Sequence, residues 1–567
     1  MTTDVDSLFA EAYLFQRQNQ LSEAIKRYEK LLEKEPKHAQ ALHFLGLAYA
    51  QLGDIDTSLR FLYQALELEP ENANLHNNLA NAYKKKNQFD KAAHHYQLAI
   101  QLAPEYAQAH HNLATLYAAR NEYLKALHHY RLAVHAEPDF AAAHFNLGLL
   151  LLQHKELTAA KTQFKNVLAL HQDHLEARFY LGVLNLEENL LDEAEQAFQE
   201  VLQQDNQHVE ALTNLGVIAL KRDEGQLAVD FFTKALAFDN EHMEARNNLA
   251  ATFMHHDRFE NALMHYDVLL QKDPKNCEYL YNSGVAQMAL GHLSEAITHF
   301  EAILEQDPKH FAALNNLAAI YIRLEDKDRA KALLELAVAA NPHDLASRHM
   351  LNALSNNELN PKASPEYAAN LFNNYALYYD QHMTGPLAYT LPQHIAEMIH
   401  QLGLKKIDHA LDLGCGTGLS GEVMRKISNH LTGVDLAAKM LAQAKNKFIY
   451  DELVEAELLQ FLKQTEQQYG LIVAADVLPY FGELDSFFAA VSQRLTTGGY
   501  LICTVEISDD KPYLLQPTAR FCHKPEYIHI VSHKYALNVI KQEKVRARQQ
   551  NQQALEEMLF VIQKKSN

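Results

Sequence analysis

The sequence predicts two domains: an all-α solenoid of about ten 34-residue helix pairs, then an α/β domain. The chain has 567 residues, more than one hydrophobic core normally serves. Proline recurs at intervals of 34 residues or multiples of 34 in residues 1–344, and a fixed period of this length indicates a stacked array. Beyond about residue 366, apolar strand-like runs alternate with helical runs, which is typical of a mostly parallel sheet covered by helices. The prolines are Pro36, Pro70, Pro104, Pro138, Pro274, Pro308 and Pro342, and the missing positions hold Gln172, Asn206 and Asn240.

Composition disfavours several classes of function. The formal net charge is −20, and a surface of that sign repels nucleic-acid phosphates and anionic lipids, so we expect neither nucleic acid nor a membrane as partner. The start of the chain does not look like a signal peptide, and no apolar run approaches the roughly 20 residues of a membrane span. The 4 cysteines are widely spaced without a CxxC pair, which favours a reducing compartment. We therefore expect a cytoplasmic protein.

Other columns keep the 34-residue register. Small residues twelve positions before each proline position let two antiparallel helices approach closely, and bulky residues eight positions before it fill the gap between the helices. The first helix of most pairs also carries Leu-Gly or Leu-Ala. The small column is Ala24, Ser58, Ala92, Ala126, Ala160, Ala194, Ala228, Ala262, Ala296 and Ala330; the bulky column is Tyr28, Leu62, Tyr96, Tyr130, Phe164, Phe198, Phe232, Tyr266, Phe300 and Leu334. These columns closely resemble the tetratricopeptide repeat (TPR) over roughly residues 5–344, in ten repeats without an insertion.

A column of asparagines recurs at one register of the first helix in seven repeats. Asn is a mediocre helix former, so its recurrence calls for a reason. One interpretation is a ladder of amides on the exposed concave face that binds the backbone of an extended peptide; TPR arrays similar to that of O-GlcNAc transferase carry such a ladder. The alternative is that each amide bonds to the adjacent repeat and sets the superhelical pitch. The column is Asn78, Asn112, Asn146, Asn214, Asn248, Asn282 and Asn316, with gaps at Phe44 and Tyr180.

Histidines recur in the same array without forming a metal site. Equivalent residues one repeat apart are separated by on the order of 10 Å, too far for the ~2 Å bonds of one ion. Adjacent histidines on a helix also point in different directions. We therefore expect packing and surface roles, and no metal, for His76, His110, His144 and the pairs His94-His95 and His128-His129.

Between the domains, residues 345–366 begin as a capping helix for the last repeat and become rich in Asn, Ser and Pro, which is typical of a linker. We place the boundary near Pro361–Pro365. The array then occupies residues 1–344 and the α/β domain residues 367–567. Most of the negative charge belongs to the array, which favours basic partners.

The α/β domain opens with the motif Asp412-Leu413-Gly414-Cys415-Gly416-Thr417-Gly418 between a strand and a helix. Asp412 would repel a diphosphate on this turn and hold a ligand with an ammonium group, so a dinucleotide-binding domain is the weaker interpretation. The domain resembles class I S-adenosylmethionine (SAM) methyltransferases from about Ala369 to Lys565. The resemblance implies SAM as cofactor, with the glycines and Cys415 against its methionyl and ribose portions. It also implies Asp435 and Leu436 at the ribose, Glu457 and Leu458 at the adenine, and Asp476 and Val477 beside the reacting methyl.

An aromatic segment precedes this motif. It resembles the N-terminal helical lid of a subgroup of predicted methyltransferases that carry TPR repeats, and the resemblance implies a cover that excludes water from the cofactor. The alternative is simple packing of amphipathic helices. Tyr379-Asp380 is the pair that we would test first, and Tyr379 joins the predicted cofactor site. The segment contains Phe372, Tyr375, Tyr378, Tyr379, Asp380 and Tyr389.

Four further residues are candidates for the acceptor side: Tyr480, Arg520, His523 and Tyr527. Arg520 is suited to bind a carboxylate and His523 to take a proton near neutral pH; the alternative is a structural Arg–Glu pair with a surface His. The family's amino-methylating signature [DN]PP[YF] is replaced by DVLPY, which disfavours DNA bases and glutamine amides as acceptors. We expect a SAM-dependent methyltransferase whose array recruits a protein partner or substrate, the acceptor being a protein or a small molecule. The alternative is a TPR adaptor with an inactive, SAM-binding domain.

Overall fold

The computed structural model describes residues 4–355, 363, 365–376, 379–385, 387–550 and 553–565, without the side chains at 374, 375, 550 and 553. It divides into two compact units, Met1–His265 and Tyr266–Asn567. The division falls inside a repeat helix, because each repeat of a solenoid contacts only its neighbours. The boundary near Pro361–Pro365 stays a prediction, and residues 361 and 364 lie outside the described residues.

The first unit consists of antiparallel helix pairs. Every first helix from α3 onward begins 34 residues after the previous one, as the proline spacing predicts. Fifteen helices lie wholly in this unit's described residues, and α16 (Phe259–Lys272) crosses into the second unit. They are α1 (Asp4–Arg17), α2 (Leu21–Lys34), α3 (Ala39–Leu52), α4 (Ile55–Leu68), α5 (Ala73–Lys85), α6 (Phe89–Leu102), α7 (Ala107–Ala119), α8 (Tyr123–Ala136), α9 (Ala141–Gln153), α10 (Leu157–Leu170), α11 (Leu175–Glu187), α12 (Leu191–Gln204), α13 (Val209–Lys221), α14 (Gly225–Phe238) and α15 (Met243–His255).

The turn inside each pair repeats one backbone conformation. One residue of the turn has a positive φ in every pair, which reverses the chain between two helices. Glycine, asparagine and aspartate hold most of these positions because they tolerate the left-handed region best. In the first unit the residues are Asn19, Gly53, Asn87, Asn121, Lys155, Asn189, Asp223 and Asp257, and in the second Gly291 and Glu325.

The two helices of a pair pack by the predicted small and bulky columns. Every residue of the bulky column is at most 3% exposed, and the small column is fully buried. A Cβ added to Gly148 would lie 2.8 Å from a ring carbon of Phe164, and one added to Gly216 only 2.4 Å from Phe232. The glycine or alanine that follows the recurring Leu of the first helix thus makes room for the aromatic ring of the second helix.

The second unit continues the helix pairs and then changes to an α/β domain. Its first part contains α17 (Cys277–Ala289), α18 (Leu293–Gln306), α19 (Phe311–Arg323), α20 (Lys327–Ala340) and α21 (Leu345–Leu354). Helix α21 is the predicted capping helix. The α/β domain contains α22 (Pro365–Tyr375), α23 (Tyr379–Thr384), α24 (Leu391–Gln401), α25 (Gly421–Met424), α26 (Ala438–Lys445), α27 (Leu458–Gln464), α28 (Asp485–Arg494) and α29 (Pro525–Lys534).

Nine strands of the described residues form one mixed sheet with the path β3-β2-β1-β4-β5-β7-β6. The neighbours are parallel except β6 with β7, and β9 joins β5 and β8 as an antiparallel strand. The strand order reverses between β1 and β4, and open α/β sheets bind ligands at the carboxyl ends beside such a reversal. The strands are β1 (Ile407–Leu413), β2 (Ser428–Asp435), β3 (Glu452–Glu455), β4 (Tyr469–Ala474), β5 (Leu495–Ile507), β6 (Tyr513–Leu515), β7 (Phe521–His523), β8 (Leu537–Gln550) and β9 (Gln553–Lys564).

Helix α21 also packs against the α/β domain. The His349 Nε2–H donates to the Ala519 carbonyl at 3.0 Å, and His349 is 1% exposed. Ala353 of the same helix is buried in a cluster with Leu515 and Phe521 on β6 and β7. The capping helix therefore contributes to the hydrophobic packing of this domain as well as to that of the last repeat.

Candidate active site

The glycine turn follows β1 at the carboxyl edge of the sheet. Gly414, Gly416 and Gly418 all have positive φ, of 68°, 53° and 94°. A Cβ on Gly414 would lie 2.4 Å from Val477 Cγ2, and one on Gly418 would lie 3.1 Å from Tyr450 Cε2. A Cβ on Gly416 would meet no atom within 4 Å, because this residue borders an open cavity. Of these three glycines, only Gly416 has open space where a side chain would stand, and this space belongs to the cavity.

Asp435 joins the end of β2 to the glycine turn. Its Oδ2 accepts from the Gly416 N–H at 2.8 Å, and its Oδ1 accepts from the Ala437 N–H at 2.9 Å. The residue is 8% exposed, and burial raises the pKa of its carboxyl although these backbone bonds oppose the rise. The two bonds hold the carboxylate at the cavity wall with lone pairs left for further donors.

Asp412 is placed differently from its neighbours in the motif. It is 1% exposed, and the Tyr450 hydroxyl donates to its Oδ2 at 2.7 Å. Burial raises the pKa of Asp412 to about 7. Gly418, Gly421 and Gly433 all leave room for the Tyr450 ring. Sequence reasoning missed Tyr450. Gly421 and Gly433, which had no predicted ligand role, were the available signal for a ring packed against them.

One cavity collects most of the predicted cofactor residues. The turn after β1 and the segment after β4 form its floor, and α22 and α23 form part of its cover. Asp412, Cys415 and Gly418 are not among its described lining residues. The predicted cofactor residues that line it are Tyr379, Gly414, Gly416, Asp435, Leu436, Glu457, Leu458, Asp476 and Val477, and they are joined by Tyr480 from the acceptor set.

Glu457 lines this cavity at the start of a helix. It precedes α27 as the N-cap, and its Oε2 accepts from the Gln460 N–H at 2.8 Å. Such a cap bond fixes the direction of a carboxylate that is otherwise half-exposed. The side chain thus presents a carboxylate of fixed direction at the cavity wall.

Asp476 follows β4 and is held by two arginines. It has a φ of 58°, a conformation that non-glycine residues rarely adopt. Arg520 binds its Oδ1, and Arg548 binds its Oδ2 at 2.6 Å. Burial alone would raise the pKa of Asp476, but the two guanidinium groups lower it below the ordinary value. Arg520 also contacts Glu506 Oε1 at 2.5 Å and donates to the Tyr480 hydroxyl at 3.2 Å.

A third carboxyl group completes this cluster from β9. Glu557 is fully buried opposite Glu506 of β5, and Arg520 Nη2 lies 3.9 Å from its Oε1. Burial, together with the charge of Asp476, raises the pKa of Glu557 to about 8. The neutral form of Glu557 is therefore favoured, and the shorter contacts of the two arginines go to Asp476 and Glu506. Sequence reasoning identified Arg520 but missed Arg548 and Glu557.

The other acceptor candidates lie outside the lining of the cavity. His523 is fully buried, its Nε2 lies 3.1 Å from the Gly482 carbonyl, and burial lowers its pKa to about 4. The Tyr527 hydroxyl accepts from the Leu484 N–H at 3.0 Å. The Arg520–Glu506 pair agrees with the structural alternative, but His523 is a core residue and not the surface residue of that alternative.

The aromatic segment before the motif contributes to the cavity and to its cover. Tyr379 and Phe372 line the cavity, and the Phe372 ring packs edge-on to Tyr480 at 5.5 Å. Asp380 accepts from the Thr417 hydroxyl of the glycine turn and forms an ion pair with Lys447 at 2.8 Å. These bonds attach α23 to the turn.

Three more residues of the segment were predicted to form the lid. Tyr389 is 8% exposed in the core of the domain and does not line the cavity in the part of the chain that the structure describes. Tyr378 and the side chain of Tyr375 lie outside the described residues.

Comparisons with known proteins agree with both halves of the chain. A family model described as a methyltransferase domain matches residues 411–501. Models described as tetratricopeptide repeats match residues 9–73, 73–106, 111–160, 156–209, 192–242 and 287–354. The chain is a TPR protein with a class I methyltransferase domain.

Among curated relatives, three enzymes match this methyltransferase domain. Trans-aconitate 2-methyltransferase of Paracidovorax citrulli is 29% identical over 124 residues, 22% of the chain and 46% of the relative. Malonyl-[acyl-carrier protein] O-methyltransferase of Enterobacter lignolyticus is 25% identical over 166 residues, which are 29% of the chain and 63% of the relative. Ubiquinone biosynthesis O-methyltransferase of Coxiella burnetii is 26% identical over 132 residues, which are 23% of the chain and 56% of the relative. The chain thus spans about half the length of the curated relatives that it matches.

In the TPR array, the asparagine column is half-buried and partly bonded between repeats. Asn112 Nδ2 donates to Asn77 Oδ1 at 3.0 Å, and Asn78 and Asn146 contact His43 and His111 of the preceding repeat at 2.7 and 2.8 Å. Asn214 instead donates to the Glu210 carbonyl of its own helix at 2.8 Å. Asn316 Nδ2 also donates to the Tyr281 hydroxyl of the preceding repeat at 3.5 Å. The cross-repeat bonds favour the pitch-setting alternative in these four repeats, and the groove stays a prediction.

The histidine column of the TPR array bonds to the turn of the preceding repeat. The Nε2 atoms of His110 and His144 lie 2.9 and 3.0 Å from the carbonyls of Pro104 and Pro138. The Nδ1 atoms of His76 and His110 each face a second histidine, His95 at 3.1 Å and His129 at 2.9 Å. Among the described residues, no three His, Cys, Asp or Glu side chains are placed to hold a metal ion, and no helix is long and apolar enough to span a membrane.

Proposed function

We propose that this chain is a SAM-dependent methyltransferase whose TPR array recruits a protein partner or substrate. The observation that carries the proposal is the cavity at the carboxyl ends of β1 and β4, where Gly416, Asp435 and Glu457 meet. This arrangement offers a bare backbone and two fixed carboxylates to one ligand. The four cysteines are free, which supports placing the protein in a reducing, cytoplasmic setting.

The residues of the cavity fit SAM. Asp435 has lone pairs for ribose hydroxyls, Glu457 places a carboxylate where it accepts from the adenine amino group, and Gly416 leaves space against the backbone. The roles of these residues follow from the resemblance to class I methyltransferases. SAM supplies a methyl group that is already activated by the positive sulfur.

The protein itself then has to align the acceptor and keep water out. Tyr379 and Phe372 cover the cavity, and Asp380 holds α23 on the glycine turn through Thr417. Such a cover lowers the local polarity and favours one orientation of the acceptor. Val477 and Tyr480 border the same space on the side of β4.

The test measures SAM binding and then methyl transfer. Calorimetry with the full chain should show binding that Asp435→Ala weakens by about 1.5–3 kcal/mol per charged hydrogen bond lost. Gly416→Val should block binding, because its side chain fills the space beside the turn. Glu455→Ala is the control, since this exposed residue of β3 does not line the cavity. Unchanged affinity in both folded site variants would contradict the assignment.

A second candidate is an adaptor that binds SAM without turnover. The burial of His523 favours it, since none of the described lining residues is then a histidine or lysine base. Incubating the full chain with tritiated SAM, a cell lysate and a metabolite pool separates the two functions. Transfer of label supports the methyltransferase, and binding without transfer supports the adaptor.

A further inference from the structure

The ionisable groups that line the cavity have one sign of charge. Among its described lining residues the carboxylates are Asp435, Glu457 and Asp476, and no lysine, arginine or histidine is present. If Asp435 and Glu457 hold the cofactor, Asp476 is the remaining charged group for an acceptor. Around it the cavity is apolar and aromatic, with Phe372, Val477, Phe481 and the phenol of Tyr480.

The nearby arginines are already paired with carboxylates and offer a ligand no unpaired cation. Arg520 is bound to Asp476 and Glu506, and Arg548 is bound to Asp476 at 2.6 Å and lies 4.0 Å from Glu506. Both guanidinium groups are about nine-tenths buried, at 12% side-chain exposure. An anionic acceptor would therefore lose its hydration and find no unpaired cation, which is costly in a poorly hydrated site.

We propose that the methyl acceptor presents a neutral or cationic N–H or O–H group to Asp476 and carries no carboxylate or phosphate next to it, an inference that rests on the methyltransferase function proposed above. Asp476 accepts a hydrogen bond from this group and so directs its lone pair towards the methyl. An acceptor that arrives as a cation first loses a proton to water, before the cavity closes over it. Its lone pair then forms the new N–C or O–C bond, the S–C bond breaks with its electrons left on sulfur, and the methylated product gives its extra proton to water when it leaves the cavity.

This acceptor class differs from those in the names of two relatives. Trans-aconitate and a malonyl group both carry carboxylates, and the matched relatives share less than a third of their residues with this chain. A site for such acceptors needs an unpaired cation, since charge-assisted bonds from Arg or Lys are the usual means of binding carboxylates. Here the arginine beside the cavity is already paired.

The experiment divides the acceptors by charge before the reaction. A deproteinised cell extract is passed over an anion exchanger at pH 8, and the full chain with tritiated SAM is given the unretained or the retained fraction. We expect at least ten times more label transferred in the unretained fraction. Equal label, or more label in the retained fraction, would overturn the proposal. Bound SAM with no label in either fraction would overturn the acceptor class, and no label in the whole lysate either would refute turnover itself.

Two variants sharpen the result. Asp476→Asn keeps the shape of the side chain but leaves an uncompensated arginine charge, so the ratio of label should shift at least fivefold towards the retained fraction. Asp509→Asn makes the same chemical change on an exposed loop after β5 and should leave the ratio unchanged. A folded Asp476→Asn variant that binds SAM and keeps the wild-type ratio would contradict a role for Asp476 in selecting the acceptor. If this variant does not fold, the wild-type fractions still decide the proposal.

Discussion

In the TPR array a buried residue meets its partners at the same sequence separation in repeat after repeat, whereas in the α/β domain the partners of one residue come from distant segments. His76 and His110 face histidines 19 residues further on, and the asparagine column reaches back 35 residues in four repeats. Asp476 is bound by Arg520, which is 44 residues away and directly precedes β7, and by Arg548, which is 72 residues away on β8.

This difference teaches where a sequence pattern is informative. A repeat shows each contact up to ten times, so a column of small or bulky residues reveals a packing rule without a structure. The cluster around Asp476 occurs once, and its members lie on β8, β9 and the turn before β7. Nothing in the local sequence of Arg548 distinguishes it from its exposed neighbour Arg546.

The largest expected effect tests this non-local cluster. Arg548→Met leaves Asp476 mostly buried with one cation fewer, and breaking a buried ion pair from one side typically costs about 3–5 kcal/mol of the free energy of unfolding. Arg546→Met, two residues away and exposed, should change it by less than about 0.5 kcal/mol. Hydrogen exchange of β4 and β8 in the two full-length variants measures the difference. Equal protection in both variants would show that the ion pair of Arg548 with Asp476 does not stabilise the domain.

A pair of truncations tests whether the repeat array and the α/β domain separate at α21. Removing residues 1–344 keeps His349 and Ala353, and we expect a soluble domain that still binds SAM. Removing residues 1–355 exposes Leu515 and Phe521, which costs about 1.5–3 kcal/mol per side chain, so the melting temperature should fall. Circular dichroism melts of both fragments give the comparison. An unfolded first fragment, or two fragments of equal stability, would contradict it.

The asparagine column tests whether periodic residues of the array bind a partner or set its pitch. Asn112→Ala and Asn146→Ala should each cost about 0.5–1.5 kcal/mol of array stability, because both amides bond to the preceding repeat. Asn214→Ala is the matched control, since its amide bonds within its own helix.

The same column can be changed in four repeats at once. If it also binds a peptide backbone, replacing Asn112, Asn146, Asn214 and Asn248 together releases partners in a pull-down while the array stays folded. Retained partners together with a destabilised array would refute the groove.

The smallest effect is a dependence of array stability on pH. Burial lowers the pKa of His95 and His129 to about 4 in the folded array, below the ordinary value of 6.5. Between these values the unfolded chain binds more protons, so stability is full above about pH 6.5 and falls as the pH drops towards 4. Replacing both histidines by Gln should flatten melting temperature against pH in this window. A slope equal to that of the wild type would assign the effect to other groups.

Much of the molecule was predictable from the sequence. The ten helix pairs, their 34-residue register, the small and bulky columns and the α/β domain all agree with the structure. Nine of the twelve predicted cofactor residues line one cavity. The motif did not predict that Asp412 accepts a hydrogen bond from Tyr450 or that Gly418 leaves room for its ring. That ring reaches the turn from a segment more than thirty residues further on.

By itself the sequence determined the elements and the edge of the sheet that carries the site, because periodicity and the glycine turn are properties of short segments. Tertiary structure alone decided what each charged side chain is able to do. It paired Arg520 with two carboxylates, buried His523 and placed Arg548 against Asp476. Arg520, which is suited to bind an anionic ligand, therefore binds the carboxylates of the protein itself. The physical reason is that the charge available to a ligand depends on every neighbour in space, and those neighbours come from strands that the sequence lists far apart.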